Sequence, residues 1–148
     1  MIVQLRPAGE GDLDGILRLL RELNPDDPEL AADVAQANWL AMLNQSGLTV
    51  CVAELAGELV AKATLLIVPN LTRNARPYAL IENVVTLPTH RKRGFARAVL
   101  QFALARAWQA NCYKAMLSTS ARSSGVLEFY RRCGFVDGIK TGFIAVPD

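Results

Sequence analysis

Three groups of residues in this 148-residue chain have types and spacings that suggest chemistry. The first is the basic run His90-Arg91-Lys92-Arg93, followed at once by Gly94-Phe95-Ala96. It falls where an apolar strand pattern gives way to a helical one. The first N–H groups of a helix have no internal partner, and the helix dipole is positive at that end, so such a loop suits phosphate oxygens. Gly94 permits unusual torsions and a close backbone approach, and Ala96 leaves the helix start unobstructed. The second is Glu82, a lone carboxylate inside the apolar run Ala79 to Leu87. It suits proton transfer, or a structural pairing with Arg73, Arg76 or a backbone group. The third is the polar stretch Asn70 to Tyr78, where Arg73 and Arg76 suit a phosphate or carboxylate, or are solvated loop charges.

Several chemistries are excluded or disfavoured. A Walker A loop needs two glycines and Lys-Ser/Thr, and a dinucleotide fingerprint needs three spaced glycines; the segment around Gly94 has neither. The net charge of +2 does not by itself call for a polyanionic partner. A basic patch for nucleic acid remains open for Arg91 to Arg93, but no aromatics interleave with the run, so no nucleic-acid partner is expected. His90 is the single histidine, which disfavours His-based triads and His-rich metal sites, and no metal is expected. Cys133 therefore lacks an activating histidine and is not read as a nucleophile. Cys51, Cys112 and Cys133 lack metal-ligand spacing and read as reduced, buried small hydrophobes of a cytoplasmic protein. No apolar stretch approaches the roughly 18 residues of a membrane span, so no membrane partner is expected.

The elements that must position these groups follow from periodicity. Ile2 to Arg6 alternates like a strand, and Asp12 can cap a helix running to about Leu23, with Leu13, Ile16, Leu17, Leu20 and Leu23 on its apolar face. A second helix is predicted over Glu29 to Asn44. Thr49–Leu55 and Leu59–Val68 read as a hairpin, and Tyr78 to Leu87 as a further strand. A long helix runs from about Gly94 to Ala110, with Ala96, Val99, Leu100, Ala103, Leu104, Ala107 and Trp108 apolar at a 3.6-residue period. Lys114 to Ser118 is a short buried strand, Ser123 to Arg132 a helix ended by a left-handed Gly134, and Phe135 to Val146 one or two strands. The expected class is α+β (α/β): a single domain over residues 1–148, order β-α-α-β-β-β-α-β-α-β, with a mixed central sheet and helices on both faces.

Arg91-x-x-Gly94-x-Ala96, after Glu82-Asn83-Val84-Val85-Thr86-Leu87-Pro88, resembles motif A of the GNAT superfamily of N-acetyltransferases. Phe129-Tyr130-Arg131-Arg132-Cys133-Gly134-Phe135 resembles motif B, and the element order matches along essentially the whole chain. Ile81 to Val85 and Asn111 to Lys114 are similar to the glucosamine-phosphate N-acetyltransferase branch. That branch typically carries Asp where this chain has Asn83.

The resemblance implies a GNAT-like fold and transfer of an acetyl group from acetyl-CoA to a primary amine of a small molecule, by direct attack in a ternary complex. The acceptor implied is an amino sugar phosphate or an amino acid-like amine. The alternatives are a non-catalytic acyl-CoA-binding regulatory domain, and a protein lysine or N-terminal acetyltransferase. An amine of pKa about 10 must lose a proton before it attacks, and Glu82 is the implied base or substrate-positioning group. Backbone groups of Val84, Val85 and Thr86 are implied to face the pantetheine and the thioester carbonyl. Arg91, Lys92, Arg93, Gly94, Phe95 and Ala96 hold the coenzyme phosphates, and Ser118 hydrogen-bonds pantetheine. The resemblance further implies that Tyr130 contacts the coenzyme and protonates the departing thiolate. Arg73, Arg76, Glu82 and Asn83 line the acceptor side. A homodimer through the apolar end Phe143 to Val146 is expected.

Overall fold

The protein is represented by a computed structural model that describes residues 2–148. It divides into two compact units, one ending at Met116 and one spanning Leu117–Asp148.

The first unit is a five-stranded sheet in the order β1-β2-β3-β4-β5. β1 (Val3–Pro7), β2 (Leu48–Leu55), β3 (Glu58–Val68) and β4 (Tyr78–Thr86) pair antiparallel in sequence order, and β5 (Ala115–Met116) adds parallel to β4. The predicted β2–β3 hairpin is present: Ala56 and Gly57, both at positive φ, turn the chain between its strands. β5 is shorter than the Lys114 to Ser118 expected, and its residues are half-buried rather than buried.

Alternation along β2 divides its side chains between two helical layers. Val50 and Val52 join Ile16 and Leu19 of α1 (Leu13–Leu23), Trp39 of α2 (Ala32–Asn44), and Leu59, Val85 and Leu87 in one apolar cluster. Cys51, between them, feels the charge of Arg106 on α4 (Phe95–Gln109), which packs against β2, β3 and β4 through Val99, Leu100, Ala103 and Ala107. Helices thus lie on both faces, as the alternation predicts. The buried stripe of α1 is centred on Ile16 and Leu19, slightly rotated from the face expected from its leucines. Trp108 is half exposed rather than inward, because α4 buries its narrower alanine-lined side.

Local chemistry departs from expectation at the start of α1. Asp12 does not cap the helix with its side chain. Its carboxylate reaches back to the Gly9 N–H at 2.7 Å and receives both terminal nitrogens of Arg6, at 2.7 and 2.9 Å. The Arg6 Nε also donates to Glu54 at 2.9 Å, so one guanidinium ties β1, β2 and the entry to α1. Bidentate, charge-assisted contacts of this kind hold geometry better than single surface pairs. α2 starts at Ala32, later than expected, and the turn-rich Asn24 to Ala31 stretch is exposed.

The second unit contains α5 (Ser124–Arg132), with Ser123 as its N-cap through a bond from the Val126 N–H, and Gly134 left-handed at φ +96° beyond its end. No strand forms over Phe135 to Val146, which corrects the expected terminal strand or strands. A strand requires a ladder partner, and this segment has none among the described residues; Phe143 and Ile144 are about nine-tenths exposed. No helix among the described residues is long and apolar enough to cross a membrane.

The Arg6 hydrogen bonds hold the Asp12 carboxyl below its ordinary value, with the Gly9 N–H adding to the effect. A depressed folded-state pKa adds stability above the unfolded carboxyl value of about 3.9, and this is lost as pH falls through the folded value. Thermal melts between pH 7 and 2.5 should show a smaller acid-induced loss in Asp12→Asn than in the wild type. Parallel curves for the two would show that this carboxylate does not contribute.

Candidate functional site

The site begins with a fault in β4. Thr64 of β3 faces Glu82, but the next pairing joins Lys62 to Val85, so three steps on β4 match two on β3. The surplus is absorbed at Asn83, which adopts φ +52°, a left-handed conformation that asparagine tolerates better than most residues. This is a β-bulge, and bulges bend a strand and disrupt its ladder. On its other edge β4 pairs with β5 only at Ala79 and Leu80. From Ile81 to Thr86 that edge has no ladder partner among the described residues. Backbone groups of Val84, Val85 and Thr86 therefore lie on a strand whose outer edge is left for another partner. Thr86 also carries the one buried side-chain oxygen without a hydrogen bond among the described residues, its Oγ1.

The bulge also decides where Glu82 goes. Its side chain shares the face of Thr64, and Glu82 and Asn83 are both exposed. Glu82 forms no ion pair with Arg73 or Arg76. Among the described residues its carboxylate accepts no hydrogen bond from a backbone group either, so the structural pairings considered for it are absent.

Past β4, Pro88–His90 forms a 3₁₀ turn, and Gly94 stands as the N-cap of α4 at φ +84°. A Cβ at Gly94 would meet no protein atom within 4 Å. The torsion, not crowding, demands glycine there, and the space above the loop is open to a ligand. Lys92 is left-handed too, at φ +59°. No side chain caps α4 and no acidic residue occupies its first turn, so its leading N–H groups keep their pull on an anion. Arg91 donates its Nε to the Thr86 carbonyl at 3.4 Å, tying the loop to β4. The Arg93 guanidinium lies 5.2 Å from the Phe95 ring centroid, and the His90 ring packs on the same phenyl at 5.9 Å. Phe95 thus braces the loop, while Ala96 is half-buried in the first turn of the helix. Arg91, Lys92 and Arg93 are exposed and make no ion pair among the described residues, so their charge is available to a phosphate-bearing ligand.

The loop before β4 contains a four-residue turn, α3 (Thr72–Ala75), in which Arg73, Asn74 and Ala75 all have φ between +55° and +59°. Arg76 donates to the carbonyls of Asn111 and Cys112, both at 3.2 Å, and pins this loop to the end of α4. Arg73 lies over the Tyr113 ring at 5.6 Å, and Lys114 over the rings of Tyr78 and Tyr113. Sequence reasoning missed this cation–aromatic cluster. Its signal was the Tyr113-Lys114 pair beside β5, which touches Arg73 only after folding.

In the second unit Tyr130 is half-buried, with Phe129 at 5.2 Å and Phe135 edge-on at 6.2 Å between ring centroids. Burial, followed by the nearby Cys133, pushes its phenol above the ordinary value. The direction of the shift keeps it a neutral phenol at neutral pH. Ser118 is exposed, whereas Ser123 serves as a helix cap. Among the described residues no group of three or more His, Cys, Asp or Glu side chains is placed to hold a metal ion.

Several known proteins are similar to this chain along most of its length. The model of the acetyltransferase (GNAT) family matches residues 13–135. Glucosamine 6-phosphate N-acetyltransferase of Trypanosoma brucei brucei is 33% identical over 135 residues, which is 90% of this chain and 88% of that protein. A solved structure from Agrobacterium tumefaciens, itself assigned only provisionally as an acetyltransferase, is 56% identical with a TM-score of 0.94, covering 97% of this chain and 99% of that one. An aminoglycoside N-acetyltransferase solved in complex with CoA shares the fold at a TM-score of 0.81 and 19% identity, covering 98% and 95%. An open strand edge, a basic glycine loop opening a helix, and these matches lead to one conclusion: the chain belongs to the acetyltransferase (GNAT) family and is an acetyl-CoA-dependent N-acetyltransferase.

Proposed function

We propose that the enzyme acetylates the primary amine of a small-molecule acceptor by direct attack on acetyl-CoA in a ternary complex, with Glu82 as the base. The observation that carries this reading is an exposed, unpaired Glu82 beside the Asn83 bulge, at the start of the open β4 edge. An ammonium has no lone pair. The Glu82 carboxylate takes its proton, directly or through one water, and the freed nitrogen attacks the thioester carbonyl carbon. The carbonyl oxygen gathers negative charge as the tetrahedral centre forms, and unpaired N–H groups along Val84 to Thr86 suit its stabilisation. The C–S bond then breaks, and Tyr130 supplies a proton to the thiolate. Its role rests on its place in the Phe129 to Phe135 motif and on its raised pKa.

Arg91, Lys92, Arg93 and the Gly94–Ala96 start of α4 hold the coenzyme phosphates in this reading, with Ser118 on pantetheine. The family match runs through both units, so residues 1–148 are read as one catalytic domain. The buried thiols Cys51 and Cys112, the former pushed up to about 11 by burial, suit a reducing, cytoplasmic setting. The exposed Phe143 to Val146 segment supports a homodimer, which sedimentation at the monomer mass would exclude.

For the acceptor, the Trypanosoma relative points to an amino sugar phosphate. Arg73, exposed and without a carboxylate partner among the described residues, suits a phosphate, while Arg76 holds the loop that presents it. Asn83 lends an uncharged polar group. Free-thiol release from acetyl-CoA, screened over glucosamine 6-phosphate, free amino sugars, amino acids and peptides, decides the class. Preference for peptides would overturn the small-molecule reading.

Glu82→Gln should lower turnover by about 10² or more near neutral pH, with activity recovering as pH rises and the amine deprotonates unaided. A deficit that stays constant from pH 6.5 to 9.5 would reject the base. Tyr130→Phe should lower kcat while leaving acetyl-CoA affinity within about twofold; a variant with full kcat would remove Tyr130 from the mechanism.

A further inference from the structure

On the face of the sheet that carries Glu82, a row of polar side chains runs inward through apolar neighbours. Lys62 is 1% exposed and Thr64 8% exposed, and the Lys62 Nζ donates to the Thr64 Oγ1 at 2.9 Å. Thr64 is the cross-strand partner of Glu82, while Lys62 lies between Val52 on β2 and Val85 on β4. Directly opposed residues of an antiparallel pair hold their Cβ atoms about 4.5–5.5 Å apart on one face. The row therefore runs from exposed carboxylate to buried hydroxyl to buried ammonium.

We propose that Lys62 and Thr64 are positioning residues for the acetyl transfer: Lys62 turns the Thr64 proton away from Nζ, on the sheet face shared with Glu82, so that the unpaired carboxylate has a fixed donor to take up when the acceptor amine draws it in. The proposal rests on the reading of Glu82 as the base. An ammonium donates three hydrogen bonds and accepts none, so a hydroxyl that accepts from it must send its own proton elsewhere. A neutral amine has a lone pair, and the hydroxyl can then turn back toward Nζ. Burial draws Lys62 down to about 8, so this change falls within the working range of an amine acetylase.

The flanking titratable groups do not override it. Cys51 and Glu54 on β2, Glu82 on β4, Asp14, Arg18 and Arg21 on α1, Asp33 on α2 and Arg106 on α4 make no ion pair with Lys62 among the described residues. Among the described residues the Cys51 thiol is the one charged-group influence on Lys62 besides burial, and that thiol, pushed up to about 11, is uncharged near neutral pH. Arg18 is engaged by Glu58 and the Leu59 carbonyl. A lysine that served only to fill space here would be replaced without loss by methionine, which avoids burying a charge.

The test is a kcat–pH profile from pH 6.5 to 9.5, at saturating acetyl-CoA and the best amine from the thiol-release screen. Wild type, Lys62→Met, Thr64→Val, Thr64→Ser, Glu82→Gln and the Lys62→Met/Glu82→Gln double variant are compared, with thermal melts confirming that each folds. Lys62→Met and Thr64→Val should each lower kcat roughly tenfold at pH 7 with KM for acetyl-CoA unchanged. Thr64→Ser should restore the rate, and the wild-type advantage over Thr64→Val should shrink above about pH 8. Lys62→Met should add nothing in the Glu82→Gln background, because residues acting through one group are not additive. If Lys62→Met does not fold, Thr64→Val and its serine rescue carry the same comparison. Full kcat in Thr64→Val with a loss in Glu82→Gln would overturn the proposal while leaving Glu82 as the base. Additive losses in the double variant would do so as well. Full kcat in Glu82→Gln would overturn both readings together.

Discussion

The site depends on one strand that fails to pair along its whole length. On one edge β4 pairs with β3 from Tyr78 to Glu82 and again at Val85 and Thr86, interrupted only by the bulge, but on the other it pairs with β5 only at Ala79 and Leu80. Backbone N–H and C=O groups that lose a ladder partner must find another. In the reading proposed above, the amide-rich pantetheine arm of the coenzyme is that partner. The Asn83 bulge uses the same irregularity a second time. It returns Val85 and Leu87 to the apolar cluster beneath α1 while leaving Glu82 exposed. One extra residue in β4 thus separates a core-facing strand end from a solvent-facing carboxylate.

The basic loop works by a different physical route. Among the described residues no carboxylate neutralises its charges, and its glycine is demanded by a left-handed torsion rather than by crowding. Arg91 and Arg93 are held in place by a carbonyl and a phenyl ring, contacts that leave their charge intact. Pre-positioned donors lose less entropy when a phosphate arrives. The Arg6–Asp12–Glu54 contacts are the opposite case: there the charges are consumed in holding β1 to β2 and α1.

Much of this was legible in sequence, because it is written in local patterns. The Gly94 start of α4, the β2–β3 hairpin and Glu82 as a misfit in an apolar strand are all visible within a few residues. The failures share a cause. The Asn83 bulge is a matter of register with β3, the absence of a terminal strand depends on whether an edge exists for Phe143 to Val146, and the Arg73–Tyr113 contact joins segments 40 residues apart. Lys62 had the same local signal as Glu82, a charge inside an apolar strand. Only burial shows that it lies inside the core rather than at its rim. Trp108 misled for the reverse reason: helical period names a face, and the packing partner decides how wide that face is.

The most direct test of the account is calorimetric titration of acetyl-CoA into the wild-type protein and into Gly94→Val, each shown by thermal melt to be folded. A β-branched residue cannot hold φ +84° without strain of about 1–3 kcal/mol, so the loop must leave the conformation that opens α4 toward the phosphates. The account predicts that Gly94→Val binds acetyl-CoA about tenfold or more weakly. Equal affinity in the two proteins would contradict it, because the coenzyme would then be held somewhere other than the Arg91 to Ala96 loop.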